Sequence, residues 1–164
     1  MSAKLLLFAA TLIAPQLLTA KEPTLKSKDM KPVPHQKAVA TVAVQHSEAK
    51  TYDETAIPTL KELTLQETFT GDINGQSLVR ALQISFGKDS ASMTSVQRFR
   101  GNLADRKGTF VLQGSEVIKD GKIQATWFVV PDTGTEALTG LRGEGGFEGD
   151  FGKGSHAHLN YWFE

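Results

Sequence analysis

From Ala38 onward the chain keeps one rhythm. Stretches of about ten residues alternate apolar and polar side chains, and each ends in a cluster of turn formers. A period of two belongs to a half-buried strand, whose successive side chains point to opposite faces. Eight such stretches follow one another, over 38–50, 59–73, 76–86, 91–103, 108–118, 122–131, 138–149 and 155–164. Strands at this regular spacing, joined by short turns, build an antiparallel sandwich or barrel. Eight long ones favour closure, which removes exposed sheet edges. The expected fold is all-β: an eight-stranded antiparallel closed β-barrel.

Two turn signals set expected registers. Asn74-Gly75 is the preferred pair for a two-residue type I′ hairpin. Such a turn pairs Leu63 with Phe86, Leu65 with Ile84, Glu67 with Leu82 and Phe69 with Arg80, so that the apolar faces of the two segments coincide. Asp120-Gly121 is the second signal. It pairs Leu112 with Val129 and Gly114 with Trp127, and puts Phe110, Leu112, Trp127 and Val129 on one face. Gly114 then makes room for the indole.

The stretch LTGLRGEGGFEGDF (138–151) is rich in glycine but cannot be a phosphate loop. A P-loop ends in Gly-Lys-Ser/Thr and opens a helix, and the dinucleotide pattern needs a third glycine where Glu148 stands. The stretch reads as a strand whose glycines at 143, 145 and 146 let the wall bend or keep a lumen open. Leu141 and Phe147 share a face with Gly143 and Gly145, while Arg142 and Glu144 point the other way, towards a subunit contact. In the last segment Ala157, Leu159, Tyr161 and Phe163 are expected inward, opposite His156, His158, Asn160 and Trp162.

The first residues differ in texture. Lys4, an apolar run from Leu5 to Ala14 and small residues up to Ala20 read as a signal peptide over 1–20. Pro15 and Gln16 interrupt the run, which is short for a membrane span. Residues 21–36, rich in Lys and Pro, read as a flexible linker, leaving 37–164 for the barrel domain. The expected location is periplasmic or secreted, and no membrane association is expected once the signal is cleaved. The chain has no cysteine, which excludes disulfides, a lipidated cysteine and a thiol nucleophile. Its formal net charge is zero, and the basic face expected of a nucleic-acid binder is missing.

The run VVPDTGTEALTGLRGEGGF, preceded by RKGTFVLQG and, earlier, FTGDINGQ, resembles a bacterial family of uncharacterised proteins similar to allene oxide cyclase in having an eight-stranded antiparallel barrel. The resemblance extends from about Ala38 to Glu164 and implies an allene-oxide-cyclase-like fold; it implies no assigned activity. Two departures stand out. The family pattern after the proline is Ser-Gly-Thr-Gly, where this chain has Thr133-Gly134-Thr135-Glu136. A Glu is common where this chain has Gln97.

Glu67 is the residue most suggestive of chemistry, a carboxylate on an apolar strand face, where burial is costly. The expected hairpin places Arg80 diagonal to it on the same face, within reach of a long side chain. Glu67 and Arg80 are therefore the candidate catalytic or orienting pair, with a structural ion pair as the alternative. Phe69, Leu82, Gln97, Trp127 and Tyr161 are the candidate ligand-lining residues, since small-molecule sites are mostly apolar with a few placed polar groups. His46, His156 and His158 could together bind zinc if the first strand closes against the last, but exposed histidines are the expected reading, and no metal site is assigned. The leading functional reading is an exported barrel that binds a small, largely apolar molecule in its lumen. A cofactor-free isomerase or cyclase is the alternative. A filled, homo-oligomeric structural barrel, assembling through Phe128 and Trp162, is the third. None of these requires a cofactor.

Overall fold

The computed structural model describes residues 33–164. The segment read as a signal peptide, and the linker up to residue 32, lie outside the described residues. Eight strands follow in order: β1 (Gln36–Asp53), β2 (Thr59–Gly71), β3 (Ile73–Ser85), β4 (Ser90–Leu103), β5 (Arg106–Lys119), β6 (Lys122–Val129), β7 (Leu141–Asp150) and β8 (Ser155–Phe163). A short 3₁₀ helix, Glu136–Leu138, lies between β6 and β7. Every strand pairs antiparallel with its sequence neighbours, and β8 returns to β1 to close the barrel. The strand boundaries follow the alternation in the sequence to within a few residues.

The ladders are staggered, as closure of a tilted sheet demands. Stepping across them from Ala40 through Ala157, Phe147, Ala125, Glu116, Met93, Gln83 and Lys61 returns to β1 at Thr51, far along the strand from the start. In consequence β1 outruns β8. Their pairing ends at Val42–Ser155, whereas β1 and β2 stay paired as far as Asp53 and Leu60. The overhang is bulged between Val44 and His46 and between Thr51 and Asp53.

The β5–β6 register is the expected one, with Leu112 opposite Val129 and Gly114 opposite Trp127. Asp120 and Gly121 at the turn have φ of 52° and 73°, the paired positive angles that a type I′ turn requires. The β2–β3 register differs from expectation. The chain turns at Gly71-Asp72, pairing Glu67 with Ser77 and Phe69 with Gly75. The slip is odd in residues, so it turns the whole of β3 over. Ser77, Val79 and Ala81 face inward, while Arg80, Leu82, Ile84 and Phe86 are exposed. Asn74-Gly75 lies inside the strand because Gly75 is needed for close approach. A Cβ there would come 2.2 Å from the Arg100 carbonyl oxygen and 2.9 Å from the Phe99 ring.

The glycines of β7 accommodate neighbours: a Cβ on Gly143 would meet Tyr161 and Leu159 at 3.2 and 3.3 Å, and Gly145 lies opposite Leu159 and Trp127. Arg142 is tied within its own chain, to Asp132 and Glu164 at 3.0 Å each.

The two ends of the lumen differ. One, here the floor, carries the turns after β2 and β4 and the long connection from β6 to β7. Phe69, Phe99, Phe110, Leu103, Leu138, Leu141 and Leu159 are fully buried there or just above it. The 3₁₀ helix seals it by burying Leu138, and Thr135 pins that segment to Thr109: its backbone N–H donates to the Thr109 carbonyl and its hydroxyl oxygen accepts from the Thr109 N–H, each at 3.0 Å. The other end, the mouth, holds a smaller apolar group of Ala91, Met93 and Ile118, with Leu63 and Ile123 partly buried against it.

Candidate functional site

Between the two apolar groups the inward residues turn polar. On β2 the inward order from mouth to floor is Leu63, Leu65, Glu67, Phe69; on β4 it is Met93, Ser95, Gln97, Phe99; on β5 it is Ile118, Glu116, Gly114, Leu112. The strict period of two thus brings Glu67, Ser77, Ser95, Gln97 and Glu116 into one belt across four adjacent strands. All five are buried.

Hydrogen bonds link the belt. Ser77 Oγ lies 3.2 Å from Glu67 Oε2 and makes a short contact with Gln97 Oε1. Ser95 donates to Glu116 Oε1. Among the described residues two buried side-chain polar atoms have no hydrogen-bond partner: Glu116 Oε2 and Trp127 Nε1. Such orphans are uncommon in protein interiors, because an unmade buried hydrogen bond costs about 1–3 kcal/mol. Gly114 joins the two residues that carry them. A Cβ at Gly114 would lie 3.3 Å from the Trp127 Cβ and 3.5 Å from Glu116 Oε1. The indole in turn packs against Phe69 and Phe147, with ring centroids 6.3 and 5.2 Å away.

Burial dominates the electrostatics. Loss of solvation pushes Glu67 from the ordinary glutamate value to about 7, opposed by the Ser77 hydrogen bond and assisted by the charge of Glu116. Glu116 is raised for the same first reason, opposed by Ser95. Ser77 has one hydroxyl proton for two acceptors, Glu67 Oε2 and Gln97 Oε1.

The sequence-derived candidates divide accordingly. Glu67, Phe69, Gln97 and Trp127 meet around the belt. Arg80 does not: it is on the outer wall, 3.0 Å from Glu62. Leu82 is also outside, 58% exposed. Both are displaced by the β3 register. Tyr161 is buried but belongs to the floor, where its ring meets Phe163 edge-on and Arg106 stacks over Phe163. His46 bonds Glu48 at 3.1 Å on the overhang, and His156 and His158 are exposed on the outer wall. Among the described residues no group of three or more His, Cys, Asp or Glu is disposed to hold a metal ion. Phe128 is exposed, and Trp162 is stacked by His35 at 4.4 Å. Sequence reading missed Glu116, Ser77 and Ser95. For Glu116 the signal was present, since it shares its parity with Phe110, Leu112 and Ile118, the face that the Asp120-Gly121 hairpin turns inward.

A crystal structure of a protein of unknown function from the DUF3224 family of Shewanella oneidensis MR-1 is similar to this chain. It superposes with a TM-score of 0.67 at 26% identity, covering 80% of this chain and 98% of the other. No curated protein matches this sequence. The family model described as "Protein of unknown function (DUF3224)" matches residues 38–164, the whole barrel apart from the first residues of β1. The chain is thus a member of the DUF3224 family.

Proposed function

We propose that the barrel is a receptacle for a small, largely apolar molecule, which enters at the mouth and is oriented by the acidic belt. One observation carries this reading: among the described residues, Glu116 Oε2 and Trp127 Nε1 are buried without hydrogen-bond partners. A ligand offering a donor and an acceptor there would complete them. The half-buried, inward-facing Leu63, Leu65 and Ile123 near the mouth support entry from that end. Phe69 and Trp127 would supply apolar contact beneath the belt. The sequence pattern of residues 1–20 supports a site of action outside the cytoplasm.

Titration with N-phenyl-1-naphthylamine, a neutral apolar dye, tests this. Saturable one-to-one binding is expected, abolished by Ser95→Phe, which fills the belt. Absence of saturable binding, or binding indifferent to Ser95→Phe in a folded protein, overturns it. A second reading, a cofactor-free isomerase, draws on Glu67 alone: a carboxyl with a pKa of about 7 is matched to proton transfer at neutral pH. It requires turnover of a bound compound that Glu67→Gln removes without removing binding.

A further inference from the structure

We infer that the lumen selects a cationic amphiphile: an alkylammonium whose N–H groups are accepted by Glu67 and Glu116, its hydrocarbon tail running past Met93, Ile118 and Leu63 to the mouth. The inference rests on the receptacle reading above and names the class of ligand.

Three observations point to it. First, the belt lacks positive charge. Among the described residues the buried polar and charged ones are Glu67, Ser77, Ser85, Ser95, Gln97 and Glu116, with no lysine, arginine or histidine among them. On β2 the cation of the same parity is Lys61, six residues towards the mouth and so about 20 Å away. Buried acids ordinarily have a cationic partner or many donors; these two have one serine each. Second, donors are scarce. Ser77 is shared by two acceptors, and Glu116 Oε2 has none. An ammonium carries several N–H groups and no acceptor, which is what the belt lacks. Third, Trp127 lies opposite Gly114, two residues along β5 from Glu116, and its own N–H is unpartnered. That N–H offers a donor to a hydroxyl next to the amine. The same wall excludes carboxylate ligands, since a third acid among two unpaired ones is repelled.

Three eight-carbon probes separate the possibilities by calorimetry on the full chain at pH 8: octylammonium, octanol and octanoate. Octylammonium is expected to bind about tenfold or more tighter than octanol, and octanoate not measurably. Glu67→Gln and Glu116→Gln, with the fold checked by circular dichroism, should each cut octylammonium affinity about tenfold and shrink its advantage over octanol. If octanol binds as tightly as octylammonium, or if both variants keep the ammonium preference, the cationic assignment is overturned while the receptacle stands. If none of the three probes binds, the receptacle reading falls with it.

Discussion

The floor and the belt of this barrel are made by the same strands and obey different rules. At the floor, Phe99 stands between Phe69 and Phe110, with ring centroids 5.6 and 4.9 Å away, inside the larger apolar cluster. Two to six residues from these rings, on β2, β4 and β5 and on β3 between them, the inward side chains include acids, serines and an amide; Glu116 Oε2 is unbonded, and both carboxyls are driven towards their neutral forms. The floor contributes stability by close packing. The belt subtracts from it, because burying a carboxylate is unfavourable unless it finds a partner. A fold that tolerates such a belt needs the floor to hold it.

The largest test of that division is Phe99→Ala. Removing a fully buried ring from the floor should cost about 3–5 kcal/mol, measured by urea unfolding, and should do so equally at pH 5 and pH 8. A loss below about 1 kcal/mol would mean that the floor is not the stabilising end.

Next comes Glu67. Its folded-state pKa lies above the unfolded value, so the folded chain holds a proton that the unfolded chain releases. The contribution is complete below about pH 4.5, falls as pH rises to about 7, and is flat beyond. Over that window wild-type stability should drop by about 3 kcal/mol through this group. Glu67→Gln should flatten the curve and exceed wild type at pH 8. Parallel curves for the two proteins would show that Glu67 is not held in its neutral form.

The smallest effect concerns the segment that seals the floor. Glu136 sits at φ 53°, a left-handed conformation that costs a side chain about 1 kcal/mol relative to glycine. Glu136→Gly should therefore stabilise the barrel by about 0.5–1 kcal/mol, seen as a small rise in melting temperature at unchanged m-value.

Much of the architecture could be read before any coordinates, because strand period and turn chemistry are local. Asp120-Gly121 shows this: both residues take the positive φ that the pair predicts, and the hairpin register follows. Asn74-Gly75 shows the limit. The same kind of dipeptide serves a tertiary purpose there, the approach of β3 to Gly101 on β4, and a local rule cannot distinguish the two uses. The resulting error propagated to the site. It placed Arg80 beside Glu67 and hid Ser77, so a balanced ion pair was expected where the barrel has two acids and no cation. Glu67, Gln97 and Trp127 survived because their orientation depends on their own strands alone.

The stagger of the barrel has one more effect. Beyond Val42 the first strand shows the solvent a row of backbone groups that β8 never reaches. In a flat, apolar strand such a row would template the stacking of further molecules. Here Glu48, Lys50 and Asp53 put charge along it, and the two bulges break its repeat. Both features oppose edge-to-edge stacking through the overhang.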